Sequence, residues 1–480
     1  MDIRFFPGVK AKITTIAKSF KKLGQDDPRR LTHSFKVGLA LTLVSLLYYA
    51  RPLYNGFGVA GMWAVLTVVV VFEFTVGGTL SKCLNRGFAT FLAGGLGIAA
   101  DYFASLFGKK GEPIVLGILV FLLAAAATYT RFFPRMKARY DYGVMIFILT
   151  FSMVAVSGYR VDELVVLAHQ RLSTIALGGA TCMIISIFIC PVWAGDDLHN
   201  EVASNLEKLA TYLEGFGDVY FVSCKDEGSG VDSKDDNGNS KSLSQGYKSI
   251  LNSKNNEESL ENFARWEPGH GGFQFRHPWK HYLKIGAHAR QCAYNIEVIN
   301  ICIDSDNQVS EYFKRKIEGP YSRMSAECGK ALKALATSMK TMTHPSTAKL
   351  NVDNSKAAMK DLKFALEAAS IENADLLAIV PAATVGLVLV EIAKCVEKIS
   401  EAMHELSERA HFSKTVEPTV SPEKPQQLLH GGIVRPVSED TDDAHNGNDD
   451  NVVITIHEIS SDSPENEKSD EHRVPRPGQV

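Results

Sequence analysis

The sequence predicts an all-α integral membrane protein with six transmembrane helices, followed by a cytosolic helical bundle and a disordered acidic tail. Three observations lead to this fold class. Long apolar segments fill the chain between Thr32 and Trp193, the next half is polar with helically spaced apolar residues, and the C-terminal stretch is acidic. We expect four regions: a basic cytosolic segment (1–31), a six-helix transmembrane domain (32–194), a cytosolic helical domain (195–412) and the tail (413–480).

A helix needs about 20 residues to cross roughly 30 Å of hydrocarbon. Six apolar segments approach this length, and Pro, Gly or Asn residues interrupt the chain between several of them. We expect the spans at Thr32–Tyr49, Val59–Gly77, Leu84–Phe107, Ile114–Tyr129, Tyr142–Ser157 and Leu172–Trp193.

The distribution of Lys and Arg predicts the orientation of these spans. The N-terminal segment and the even-numbered loops carry 15 Lys and Arg residues, against 5 in the odd-numbered loops. Because cytosolic loops are the positively charged ones, both termini should be cytosolic.

The polar half shows amphipathic helices and one segment that is poor in apolar residues. Residues 224–258 are rich in Ser, Asn, Asp, Lys and Gly, which predicts a mobile insert. The tail has 14 Asp and Glu against 6 Lys and Arg and no aromatic residue, so we expect it to be disordered. Leu376–Ala393 is almost apolar enough to span a membrane. It continues into a stripe of apolar residues from Val385 to Leu406 with charges opposite, which favours a soluble bundle helix.

No catalytic constellation is present in the sequence, so we expect neither an enzyme nor a cofactor. The sequence lacks a P-loop and a CxxC pair, and the near-neutral net charge of −3 argues against a nucleic-acid partner. His270 and His277 have the wrong spacing for a helical metal pair and lie among Pro and Gly residues. We therefore expect no metal site, and an ordered loop in which Trp266, Phe273, Phe275 and Trp279 pack onto the helices.

The informative residues are charges within or beside the apolar segments. Arg86 and Arg171 each precede a Thr (Thr90 and Thr174) and then a Gly pair. They open the third and sixth spans, which suggests a three-plus-three inverted repeat of the kind found in many transporters. A buried arginine in a membrane usually marks an ion path, and its planar fork of donors matches a carboxylate. The alternative is that each arginine merely extends to the membrane surface at a helix end.

Glu73 is the carboxylate that lies well inside a predicted span. An unpaired carboxylate would repel an anion, so we expect a salt bridge to Lys82 or Arg86. The candidate anion-binding residues are thus Arg86, Arg171 and Lys82, with Glu73, Thr90 and Thr174 in supporting positions.

Several blocks of sequence resemble the plant aluminium-activated malate transporter family, which are anion channels. The similar blocks are Asp27–Arg30, His33–Leu41, Met62–Phe74, Leu84–Gly87, Cys190–Gly195 and Trp266–Trp279. The resemblance implies a homodimer with a central pore, passive efflux of malate and inorganic anions through the lipid bilayer, and pore arginines at Arg86 and Arg171. It implies aluminium sensing by acidic residues in outer loops, for which this chain offers Asp162 and Glu163. We place the protein in the plasma membrane in preference to the vacuolar membrane.

Two other classes of function compete with a channel. An anion exchanger or proton-coupled carrier would need a titrating carboxylate in the path, and Glu73 and Asp101 are the candidates. A non-transporting membrane scaffold would use the cytosolic half alone.

Overall fold

The computed structural model of the chain describes residues 15, 18–19, 21–49, 61–158, 164–222, 245–304, 311–372 and 376–413. Every regular element in these ranges is a helix, and the two β-bridges there are isolated. Besides a helical stretch at 21–26, the described residues of the apolar half form seven helices: α1 (Pro28–Tyr49), α2 (Met62–Val71), α3 (Val76–Ser105), α4 (Gly108–Thr130), α5 (Pro134–Arg139), α6 (Asp141–Gly158) and α7 (Leu164–Phe188).

Helix α3 is the centre of the apolar half. It packs against α4, α6 and α7, while α1 and α2 pack against each other and against α7. Within the described part of the chain, three helices are long and apolar enough to cross a membrane: α3, α4 and residues His169–Phe188 of α7. Met62–Val71 and Asp141–Ser157 are shorter apolar helices. The predicted all-helical fold is therefore confirmed for the described residues, with three candidate membrane spans, and the count of six spans stays a prediction.

The second predicted span, Val59–Gly77, is not one helix. Helix α2 ends at Val71, Phe72 is extended, and α3 begins at Val76 with Thr75 as its N-cap. The Thr75 hydroxyl accepts a hydrogen bond from the Gly78 N–H at 3.1 Å. Because the Thr75 side chain satisfies a backbone N–H that a helix start leaves unpaired, a new helix begins here despite the apolar composition of the segment.

Three further helix boundaries differ from the expected ones. Helix α3 begins eight residues before Leu84, and α7 begins eight residues before Leu172, so Arg86 and Arg171 lie inside their helices instead of opening them. The segment before Ile114 was expected to be a loop, but α4 already begins at Gly108. It includes Pro113 as its sixth residue, where the missing backbone donor removes one helical hydrogen bond.

Besides a short helical stretch at 245–251, the structure describes six helices in the polar half: α8 (Ala194–Val222), α9 (Lys254–Ala264), α10 (Lys280–Asp304), α11 (Glu311–Lys340), α12 (Ser346–Glu372) and α13 (Leu376–Arg409). Helix α8 packs along α11, α11 along α12, and α10 along α13. They enclose an extended apolar core that includes Leu213, Ile296 and Leu335.

The apolar stripe predicted on α13 is confirmed. Its members are all buried: Val385, Leu389, Ile392, Val396, Ile399, Met403 and Leu406. Burial of the whole stripe against neighbouring helices explains why this apolar segment is stable within the polar half.

The predicted mobile insert is wrong over its second half. Residues 245–251 are helical and Lys254–Ala264 form α9, with Tyr247 and Ile250 buried in the core. These two residues are three positions apart and therefore share one face of the helical turn. Residues 224–244 and the predicted tail after Ser413 lie outside the described residues, as do the outer-loop acids Asp162 and Glu163.

Candidate functional site

Arg86 and Arg171 line one small cavity between α2, α3, α6 and α7, which we call the arginine cavity. Its volume is about 20 Å³, room for roughly one water molecule. None of its lining residues is acidic: Trp63, Arg86, Thr90, Ile146, Leu149, Thr150, Met153, Arg171 and Ile175. Two residues 85 positions apart in the sequence thus meet in one enclosed space.

The Arg86 guanidinium is buried, and its Nη1 donates a hydrogen bond to the Tyr142 hydroxyl at 3.0 Å. Its Nε is also buried and has no hydrogen-bond partner. A guanidinium keeps its charge in such a site, and a neutral phenol hydroxyl does not cancel that charge. Arg86 therefore leaves an uncompensated positive charge beside the cavity.

Arg171 is held by an aromatic ring in place of a carboxylate. Its Cζ lies 4.4 Å from the centroid of the Trp63 ring, which is the geometry of a cation–π interaction. Its Nη1 lies 3.2 Å from the Met153 Sδ, and its buried Nε has no hydrogen-bond partner. Like Arg86, it is a buried cation whose described contacts include no anion.

The two threonines near these arginines have different surroundings. Thr90 lines the arginine cavity, and its buried Oγ1 has no hydrogen-bond partner. The Thr174 hydroxyl donates to the backbone carbonyls of Gln170 and Arg171, at 2.9 and 3.0 Å. Thr90 is thus available to a bound molecule, whereas Thr174 is engaged with its own helix.

Lys82 and Glu73 form an ion pair outside the arginine cavity. The expected salt bridge of Glu73 is therefore made with Lys82, one of the two partners that the sequence offered. Glu73 lies in the break between α2 and α3, not inside a span, and its N–H donates to the Thr79 hydroxyl at 3.1 Å.

The glycine pairs that suggested an inverted repeat have unequal environments. A Cβ on Gly178 would lie 2.7 Å from the Ala64 carbonyl oxygen, so α7 approaches α2 closely at this point. A Cβ on Gly94 or Gly95 would meet no neighbouring atom within 4 Å. The similar sequence context of the two arginines thus does not extend to similar packing.

Glu267 joins the polar half to the starts of two helices. Its Oε1 accepts hydrogen bonds from the N–H groups of Gly77 and Ala194, at 3.2 and 2.6 Å, and its Oε2 accepts one from Gly195 at 3.0 Å. Gly77 is in the first turn of α3, and Ala194 and Gly195 begin α8. A carboxylate at a helix N-terminus is stabilised by the helix dipole. Burial nevertheless raises the pKa of the Glu267 carboxyl, an effect that these three donors oppose.

The loop after Glu267 packs most of its rings but not all. Phe273 and Trp279 are buried as expected, and the His270 ring stacks on Trp193 at 4.0 Å between centroids. The expectation for Phe275 is wrong, since 69% of its surface is exposed. In the described ranges no group of three His, Cys, Asp or Glu residues could hold a metal ion.

A buried network lies behind this loop. The Tyr282 hydroxyl is 3.0 Å from His199 Nδ1 and 3.2 Å from His277 Nε2. Burial lowers the pKa of both histidines from 6.5 to about 4 and raises the pKa of Tyr282 above its usual value. All three side chains are therefore neutral near pH 7.

Several residues of the site were not predicted from the sequence. Trp63, Thr150 and Met153 line the arginine cavity but lie in apolar runs without a charge to mark them, and Tyr142 accepts a hydrogen bond from Arg86. Tyr142 offers the clearest signal, as a phenol placed beside charged residues at a helix start.

The model of the aluminium activated malate transporter family matches residues 21–372. The chain is 49% identical over 445 residues to aluminum-activated malate transporter 2 of Arabidopsis thaliana, covering 93% of this chain and 85% of that protein. It is 46% identical to aluminum-activated malate transporter 1 of the same species, with 95% and 90% covered. It is 42% identical to aluminum-activated malate transporter 1 of Triticum aestivum, with 90% and 92% covered. The chain with the two buried arginines belongs to the aluminium-activated malate transporter family.

Proposed function

We propose that this protein is an anion channel that mediates passive efflux of malate and inorganic anions across the plant plasma membrane. The observation that carries the proposal is the arginine cavity, where two buried guanidinium groups have unpartnered Nε atoms and no acidic neighbour in the lining. Buried ionisable residues in membrane helices usually mark ion paths, and guanidinium groups bind carboxylates through paired donors.

The relatives support the transported substrate, because their names specify malate transport. The proposed arrangement has six membrane helices per subunit, two subunits around one pore and both termini in the cytosol. Lys82 belongs to the anion path in this proposal, and its ion pair with Glu73 offsets part of its positive charge. The names of the relatives also specify activation by aluminium, and in this proposal Asp162 and Glu163 of the outer loop are the sensing residues.

The test is the current carried by arginine variants. We expect Arg86→Ala and Arg171→Ala to reduce malate current per channel about tenfold or more, since a net loss of about 1.4 kcal/mol of attraction is already tenfold. Arg86→Lys and Arg171→Lys should retain part of the current with altered anion preference, because lysine keeps the charge but loses the planar fork. Voltage clamp of expressing cells, normalised to surface protein, measures both.

Arg135→Ala is the matched control, as Arg135 is an exposed arginine on α5 that does not line the arginine cavity. It should carry normal current. Normal current per channel in the Arg86 and Arg171 alanine variants would remove both residues from the pore, and no current from the wild type would favour a scaffold.

A proton-coupled carrier is the second candidate, and one observation favours it. The Asp101 Oδ1, on the same helix as Arg86, is buried without a hydrogen-bond partner. In a carrier the reversal potential would shift with the proton gradient, and Asp101→Asn would abolish that shift. In the channel that we propose, the reversal potential follows the anion gradient alone.

A further inference from the structure

A second and larger cavity lies where helices α3, α5 and α6 meet α9 of the polar half, and we call it the basic cavity. Its volume is about 280 Å³. The lining residues that matter here are Lys82, Asn85, Lys137, Arg139, Asp141 and Tyr142. Three of these six side chains are cationic and one is acidic.

The charges of the basic cavity do not cancel. Lys82 is paired with Glu73, and both carboxylate oxygens of Asp141 accept from Arg131, at 2.6 and 3.1 Å. Lys137 acts electrostatically on Asp141, but among the described residues neither Lys137 nor Arg139 forms an ion pair, and that of Asp141 is with Arg131. Glu261 influences Arg139 electrostatically, but its own ion pair is with Arg265 at 2.9 Å. The cavity is therefore left with two uncompensated positive charges.

Neutral donors connect this cavity to the arginine cavity. The Tyr142 hydroxyl accepts its hydrogen bond from Arg86, so its own proton is free to be donated. Asn85, the neighbour of Arg86 on α3, donates through Nδ2 to the Arg139 carbonyl at 3.2 Å and so holds α5 against α3. A ligand on Lys137 and Arg139 would thus lie one side chain away from Arg86.

We propose that the basic cavity is a loading site that binds a dicarboxylate on the cytosolic side before the anion moves to Arg86 and Arg171. The two uncompensated cations match the two negative charges of such a ligand. The basic cavity's volume of about 280 Å³, against about 20 Å³ for the arginine cavity, leaves room for a small organic anion. This inference rests on the proposed function, because a loading site needs a conducting pore.

The experiment measures how malate current in inside-out patches depends on the malate concentration at the cytosolic face. We expect Lys137→Gln and Arg139→Gln each to raise the half-saturating malate concentration about three- to fivefold, the size expected for one exposed charge pair. The double variant should raise the half-saturating malate concentration further. The half-saturating chloride concentration should change less, because chloride carries one charge. Lys137→Arg and Arg139→Lys, which keep the charges, should remain close to the wild type.

Arg135→Gln is the control, because it removes one exposed cation from α5 without altering the lining of the basic cavity. It should leave the half-saturating malate concentration unchanged. When malate is applied from the outer face, none of these variants should change its half-saturating concentration. Wild-type half-saturation in the double variant would overturn the loading site, as would an equal shift for malate and chloride or an equal shift in Arg135→Gln. Absence of wild-type malate current would instead overturn the proposed function, so the two failures are distinct.

Discussion

At the scale of single residues, the arginines of the site differ in their partners from Lys82 and Arg131. Lys82 and Arg131 each face a carboxylate, whereas Arg86 faces a phenol hydroxyl and Arg171 an indole ring. An aromatic face or a hydroxyl stabilises a buried cation without neutralising it. The consequence is a positive potential that remains available to a mobile anion.

The buried histidines of the polar half provide a prediction about pH. The pKa values of His199 and His277 are about 4 in the folded protein, against 6.5 in an unfolded chain. Below pH 6.5 the unfolded state therefore binds protons that the folded state does not. Each histidine should lower the free energy of unfolding by about 1.4 kcal/mol per pH unit as the pH falls from 6.5 towards 4.

Thermal unfolding of the purified protein between pH 7.5 and pH 4.5 measures this effect. Buried carboxyls with raised pKa values, such as Glu201 and Glu261, act in the opposite direction, so the comparison with a variant is decisive. His277→Gln should unfold with a weaker pH dependence than the wild type, while the exposed control His404→Gln should keep the wild-type slope. Equal slopes in all three proteins would contradict the prediction.

At the scale of elements, Glu267 makes the stability of two helix starts depend on one loop. Its carboxylate accepts three backbone N–H groups from α3 and α8, and 1% of the side chain is exposed. A Cβ on Gly77 would overlap the Phe263 carbonyl, and one on Gly195 would overlap the Trp279 ring. Both helix starts therefore need glycine at these positions to lie so close to Phe263 and Trp279. The carboxylate and the glycines form one unit.

Glu267→Gln should therefore destabilise the protein by about 1.5–3 kcal/mol, the usual contribution of hydrogen bonds to a charged group. Glutamine has the same size, but it replaces one acceptor oxygen by a donor and removes the charge. The measurement is the unfolding midpoint of the purified protein at pH 7.5. Glu258→Gln, an exposed glutamate on the neighbouring helix α9, is the control and should unfold like the wild type. A wild-type midpoint for Glu267→Gln would show that this carboxylate does not stabilise the junction.

At the scale of the whole molecule, the apolar and polar halves belong to one compact unit, Met1–Glu417, in which α3 contacts both α8 and α9. The charge asymmetry of 15 against 5 predicts that the polar half is on the cytosolic side. Tags at the N-terminus and after Ala410 should both react only after the membrane is permeabilised. Labelling of the second tag on intact cells would mean that Leu376–Ala393 crosses the membrane.

The sequence by itself determined the properties that depend on local composition and spacing. The apolar segments, the buried stripe on α13 and the choice of Arg86 and Arg171 as the residues of interest all follow from hydropathy, helical periodicity and the cost of a charge in an apolar span. The ion pair of Glu73 was predictable for the same reason, because a carboxylate in such a place needs a nearby cation.

Only the tertiary structure decided where the segments break and which side chains meet. The break at Phe72–Thr75 and the start of α3 depend on hydrogen bonds that the side chains of Thr75 and Glu267 accept from backbone N–H groups, and Glu267 is 190 residues away from Gly77. The meeting of Arg86 with Arg171, Trp63 and Tyr142 requires four helices to pack around one cavity. Hydropathy is a local property of the chain, whereas a cap or a cavity depends on groups from distant segments, and for that reason composition alone does not reveal it.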